Sequence, residues 1–189
     1  MSFRRLCIVV AVMVSALAGT MDVAAQKSQN TRPSLVVGIV VDGMQQRYID
    51  LLMPYFGQDG FRRLLQRGLV MEHVDYGTAV DPTAAAAMLY TGAPAAVSGI
   101  PSAQVYDRVR NMPYSVFLDP EKIGNFTDET YSPKALQVST LSDEIRMDNG
   151  GLGNVHAIAP DASMAIIMAG HAGNSAFWIS DVDGRWATT

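Results

Sequence analysis

Thiol chemistry is nearly absent from this sequence: Cys7 is its only cysteine, and it lies in a segment that reads as a removable leader. Its loss would leave no disulfide, no thiolate metal ligand and no thiol nucleophile. Positive charge is also scarce. Lysine and arginine total 14 against 18 aspartate and glutamate, a formal net charge of −4. Losing Arg4, Arg5 and Asp22 with the leader removes two positive charges and one negative, which takes −4 to −5. Such a balance recommends neither nucleic acid nor an anionic membrane as a partner. Beyond the leader no apolar run approaches the ~20 residues a bilayer core requires. Internal repeats and low-complexity tracts are missing as well.

What is present begins with order at the N-terminus. Arg4 and Arg5 precede an apolar run from Leu6 to Ala18, and Val23 and Ala25 supply small residues at the −3 and −1 positions of a cleavage point before Gln26. Charge, apolar core and small residues in that order are read by export machinery as a signal peptide. Residues 1–25 are therefore read as a signal peptide and 26–33 as a polar spacer. Residues 34–189 form one domain, periplasmic or secreted, with no membrane association once the leader is gone. About 164 mature residues suffice for one hydrophobic core. The last residues, Arg185 to Thr189, read as the second arm of a hairpin, which suggests a truncated chain.

Ser34 to Val41 is a continuous, mostly β-branched run. Apolar residues without alternation suit a strand buried on both faces of a parallel sheet. Helical spacing follows through Tyr48, Leu51 and Leu52, and again through Phe61, Leu64 and Leu65, with Gly68 as a stop. Leu69 to Val74 reads as a second strand. The alanine run Ala84 to Ala87 is strongly helical, with Gly92 at its end, and residues 93–133 read as an elaborated surface connection. Thr140 with Asp143 has the form of a capping arrangement for a helix ending at Gly150-Gly151. Asn154 to Ala159 is a third strand, and Ser175 to Ser180 with Arg185 to Thr188 forms a hairpin turned at Asp183-Gly184. Strands alternating with helices predict an α/β sandwich, a mostly parallel central sheet flanked by helices.

In open α/β sheets ligands bind beyond the carboxyl ends of the strands. Asp42 stands at that end of the first predicted strand, where a carboxylate can hold a divalent metal. An Asp-Gly pair after a strand is equally an ordinary turn. His73, His156 and His171 lack metal-ligand spacing to one another and read as hydrogen-bonded structural or surface residues.

Several blocks occur in a familiar order: Val36-Val-Gly-Ile-Val-Val-Asp42-Gly-Met44, Gly60-Phe-Arg-Arg-Leu-Leu-Gln-Arg-Gly68, Tyr90-Thr-Gly92, Gly99-Ile100 and Tyr106-Asp107. Ser132-Pro133, Ser139-Thr-Leu-Ser-Asp-Glu-Ile-Arg146, Ala169-Gly-His171 and Ala176-Phe-Trp178 continue it. Together they resemble the N-terminal part of the phosphate-irrepressible alkaline phosphatases, close to the type I phosphodiesterase/nucleotide pyrophosphatase group. The resemblance implies a two-zinc phosphate-ester hydrolase in which a threonine attacks phosphorus while the metals stabilise the attacking and leaving oxygens. Asp42 matches the first metal-binding aspartate of that family. The other ligands fall in a half that this chain lacks, and His171 matches a family histidine that is not a ligand.

By the spacing to Gly92 the family threonine falls on Pro82, one residue from Thr83. Thr83 is the candidate nucleophile, with a plain cap residue as the alternative. A family histidine in the nucleophile helix falls on Ala86, and the phosphoryl-binding asparagine falls on Ala103, where Ser102 or Gln104 offers a partial substitute. The lysine and arginine of the family fall on Pro160 and Ala162. Each lost donor removes roughly 2–4 kcal/mol of transition-state stabilisation. The resemblance thus implies an exported phosphate-ester hydrolase that acts weakly or not at all, on a small phosphate ester if active. The alternative is a non-catalytic binding or structural protein on the same fold.

Overall fold

The computed structural model describes residues 33–77, 80–125 and 127–189. The leader, its cleavage point and most of the spacer lie outside the described residues. Residues up to Val41 and residues Asp42–Thr189 separate into two units.

In the first unit, residues 33–41 form no strand. Leu35, Val37 and Ile39 are 76%, 67% and 79% exposed. The expectation of a strand buried on both faces at Ser34–Val41 is therefore not met. An unalternating apolar run states that both faces want cover. It cannot state that neighbouring strands and covering layers are there to provide it.

The second unit opens with helices whose apolar faces also stay uncovered. Helix α1 (Gln46–Leu52) runs into a 3-10 turn at Met53–Tyr55, and α2 (Phe61–Arg67) ends at Gly68, as the spacing predicted. Neither helix buries a residue. Residues 69–74 are not a strand, contrary to the sequence reading, and Leu69 and Met71 are exposed.

Packing begins at α3 (Pro82–Thr91). Asp81 accepts a bond from the Thr83 amide at 2.9 Å, proline occupies the first turn, and Gly92 closes the helix in the left-handed region at φ 66°. Each is a preferred residue for its position. Ala84, Ala86 and Ala87 are buried, small enough to let neighbouring backbones approach. After α4 (Ala95–Ser98), β1 (Gln104–Asp107) and β2 (Met112–Ser115) pair antiparallel, so the presumed surface connection contains a hairpin. Helix α5 (Leu141–Asp148) carries the predicted capping box between Thr140 and Asp143.

The core sheet is β3 (His156–Ile158), β4 (Ser175–Ile179) and β5 (Trp186–Ala187), in that order. β3 pairs parallel to β4, with Ala157 opposite Ala176, and β4 pairs antiparallel to β5, with Trp178 opposite Ala187. The crossover from β3 to β4 is α6 (Ala162–Ala169), which packs on both strands and against α3 and α5. Its sequence is apolar all round, the mark of a helix enclosed on several sides, and Ala165, Ile166, Ile167 and Ala169 are buried. Along β4, Ala176 and Trp178 face this core while Phe177 and Ile179 face outward. The mixed α/β architecture agrees with the sequence reading, with one parallel strand pair among the described residues.

Candidate functional site

A cavity of about 350 Å³ opens where two helices begin. Its wall includes Asp42, Pro82 and Thr83 at the start of α3, Ala103 and Gln104 at the start of β1, and Asp161, Ala162 and Ser163 at the start of α6. Glu129, Tyr131, Trp178 and Asp181 close other sides. The three residues singled out from sequence, Asp42, Thr83 and Gln104, thus share one cavity. So do Ala103 and Ala162, the positions on which the family resemblance set phosphoryl donors.

The local reasons differ residue by residue. Asp42 is exposed in a turn, where its Oδ1 accepts the Gly43 amide at 2.8 Å. Thr83 is buried in the first turn of α3. The cap of that helix is Asp81 and not Thr83, which removes the plain cap reading of Thr83. It also occupies the Thr83 amide, one of the N–H groups an anion at this helix terminus would use. The second helix start is closed likewise: Asp161 Oδ1 accepts the Met164 amide at 3.0 Å. Gln104 is exposed, and its carbonyl accepts a bond from the Ser102 hydroxyl, which leaves its side-chain amide free of that contact.

Electrostatically the wall is one-sided. It presents the carboxylates of Asp42, Glu129, Asp161 and Asp181, and no lysine, arginine or histidine among the described residues that line it. Glu129 Oε2 accepts the Trp178 indole N–H at 3.0 Å. Burial pushes the Tyr131 hydroxyl up from its ordinary value, and the carboxylates of Glu129 and Asp181 push it further. Tyr131 therefore stays neutral and keeps its proton. A phosphoryl dianion in this cavity faces four carboxylates and no cationic side chain among the described residues that line it, the reverse of what phosphoryl transfer needs.

Zinc, which the family resemblance implies, does not fit the described residues alone. Among them no group of three or more His, Cys, Asp or Glu side chains is placed to hold a metal ion. A zinc site takes three or four protein ligands, and Asp42 supplies one carboxylate. His156 and His171 are engaged elsewhere, with Ser175 and with Asp143 and Leu136.

Glu129, Tyr131, Asp161 and Asp181 were not singled out from sequence, and Trp178 entered only within a block of the family resemblance. Asp161 had a local signal, an aspartate opening an apolar run. The others are brought in from loops and strands far along the chain.

The chain is 29% identical over 201 aligned residues to alkaline phosphatase PhoV of Synechococcus elongatus, covering 100% of this chain and 36% of that protein. It is 29% identical to alkaline phosphatase PafA of Elizabethkingia meningoseptica, over 87% of this chain and 31% of that one. A Myroides odoratus protein named calcium-transporting ATPase is 30% identical over 84% of this chain and 30% of its own length. The crystal structure of wild-type PafA superposes with a TM-score of 0.75 at 25% identity, over 82% of this chain and 31% of PafA. No family model matches the sequence. Together, sequence and fold define an α/β domain of the phosphatase type. The chain belongs to the alkaline phosphatase superfamily and corresponds to the N-terminal part of its relatives. It spans about a third of the length of the curated relatives it matches.

Proposed function

We propose that the protein is an exported phosphate-ester hydrolase of the alkaline phosphatase family, in which this 189-residue chain alone turns over substrate weakly or not at all. In this reading Thr83 is the nucleophile, Asp42 a metal carboxylate and Gln104 a contact to the phosphoryl group. The observation that carries it is the single cavity that gathers Asp42, Thr83 and Gln104 while Ala103 and Ala162 also line it. The positions for attack and for one metal lie together, and the donors and cations that would stabilise the transferred group are not among its lining. What the described residues lack, at roughly 2–4 kcal/mol per lost donor, is enough to suppress turnover.

The purified chain should carry no stoichiometric zinc and should not hydrolyse p-nitrophenyl phosphate or its diester above a blank, with or without added zinc. Elemental analysis and a chromogenic assay check this. Two zinc ions per chain, or turnover that Thr83→Ala abolishes, would overturn the weak-site reading and restore an intact hydrolase.

Export has its own test. The mature protein should begin at or near Gln26, because the order of Arg4, Arg5, the apolar run and Ala25 is that of a cleavable signal. Terminal sequencing of the protein recovered outside the cytoplasm reads it directly, and an N-terminus still at Met1 in a membrane fraction contradicts it.

A further inference from the structure

Asp42, Glu129, Asp161 and Asp181 face the cavity with no cation of the protein's own among the described residues that line it. The ion pairs of the described residues lie elsewhere, at Asp107, Glu121, Asp143 and Asp183. Local bonds do not exhaust the cavity carboxylates. Asp161 gives Oδ1 to the Met164 amide and Glu129 gives Oε2 to the Trp178 N–H, and each keeps its second oxygen clear of those bonds. An acidic wall by itself can be left to water, but Thr83 cannot. It is only 6% exposed and lies on the same wall, and its hydroxyl bonds to no described residue. Buried polar groups find partners, and the cavity is where this hydroxyl has room for one.

We propose that this cavity binds an organic cation with several primary or secondary ammonium groups, a linear polyamine, held between the carboxylates and the Thr83 hydroxyl. A single metal ion does not suit the wall, because among the described residues no three acidic or histidine side chains are placed to share one. Charges strung along a flexible chain meet carboxylates that do not converge on one point. The Thr83 oxygen accepts from an ammonium N–H, which a quaternary ammonium lacks. Tyr131, half-buried beside Trp178, presents an aromatic ring on which methylenes pack and to which an ammonium is attracted. The volume of about 350 Å³ falls in the range of ~300–1,000 Å³ that ligand pockets occupy.

The proposal does not rest on the hydrolase reading. It needs neither phosphate nor turnover, only the sign and shape of the wall. A chain of net charge −4 also attracts any polycation weakly through its overall field. The cavity is separated from that field by what the field cannot sense: a neutral hydroxyl, and the position of a charge as opposed to its count.

Spermidine is to be titrated into the full chain at neutral pH and followed by calorimetry and by backbone amide NMR. One spermidine per chain should bind saturably, with the largest amide shifts at Thr83, Gln104, Asp161 and Asp181. Thr83→Val keeps the shape and removes the hydroxyl. It should weaken binding by about threefold, and Asp181→Asn by about tenfold, the sizes expected of a neutral and of a charge-assisted hydrogen bond. Asp50→Asn removes the same charge from α1, off the cavity wall, and should leave the affinity unchanged. Equal losses for Asp50→Asn and Asp181→Asn, or no effect of Thr83→Val, would reduce the binding to the overall field and overturn the proposal. Absence of saturable binding overturns it too, as do calcium ions that produce the same shifts at a lower concentration than spermidine. Should a variant fail to fold, the wild-type shift map decides alone: shifts gathered at the cavity support the site, and shifts spread over the acidic surface refute it.

Discussion

Truncating Trp178 to alanine should cost the fold about 3–5 kcal/mol, the range for removing a large buried aromatic ring. The indole is 1% exposed and is the largest fully buried side chain of the core. It stands on β4 between the sheet and the cavity, tilted against Tyr131 with ring centroids 5.9 Å apart. Its N–H is spent on Glu129, so truncation leaves a hole and also strips Glu129 of a partner. Trp178→Phe separates the two losses. It keeps most of the ring and gives up the hydrogen bond, for a cost of about 1 kcal/mol, because Glu129 is only part-buried and its Oε2 still accepts from the Thr127 hydroxyl. Urea denaturation at neutral pH checks both. A loss under ~1 kcal/mol for the alanine variant would mean that β4 is not packed as described.

The parts of the fold legible in the sequence are those whose instructions sit within a few residues. Helix α3 is written in ten residues, with Asp81 and Pro82 to start it, alanines to propagate it and Gly92 to stop it. Helix α5 is written in the Thr140 and Asp143 pair. The β4–β5 hairpin is written in Asp183-Gly184, where Gly184 takes φ 70°. Helix α6 escaped notice because an all-round apolar run has no periodicity to betray it, although Asp161 and Gly170 bracket it. Gly170 serves a further purpose: at φ 69°, a side chain there would run into the Thr140 hydroxyl and the Asp143 carboxylate. The β1–β2 hairpin turns through Arg108 to Asn111, without the Asn-Gly or Asp-Gly pair that marks short hairpins, and Asn111 itself takes the positive φ.

Leu35–Val41 shows the opposite limit. Its apolar character is local, but burial is a property of partners, which the run itself does not specify. The same holds for the site. Family spacing lands on Asp42, Pro82 and Ala103, with Thr83 and Gln104 each one residue away, yet the sign of the cavity's field depends on Glu129 and Asp181, which only the folded chain brings to it. Thr83 shows how a one-residue offset resolves in three dimensions. Asp81 takes the cap, Pro82 takes the first helical position, and Thr83 still reaches the cavity wall.

Asp143→Asn should be the most damaging isosteric change in the chain, at about 3 kcal/mol at neutral pH. The carboxylate is buried and accepts from the Thr140 amide and hydroxyl, the Ala172 amide at 2.7 Å and the His171 ring. An asparagine presents an NH2 group to at least one of these donors, so a buried donor faces a donor, and the charge that strengthened the others is gone. Hydrogen bonds to a charged group are each worth ~1.5–3 kcal/mol, and the donors do not all lose their partner. Burial pulls the Asp143 carboxyl upward, but the hydrogen bonds from Thr140, His171 and Ala172 outweigh it and hold the group below the ordinary aspartate value. A group depressed in the folded state stabilises the fold above its unfolded value of ~3.9 and loses that contribution as the pH falls through its folded value. The gap between wild type and Asp143→Asn should therefore be full from about pH 5 upward and narrow in acid, below about pH 4. Urea unfolding of both proteins across that range measures it. A gap that stays constant into acid would show that the damage comes from shape alone, and a gap that widens in acid would contradict an ionised Asp143 at the start of α5.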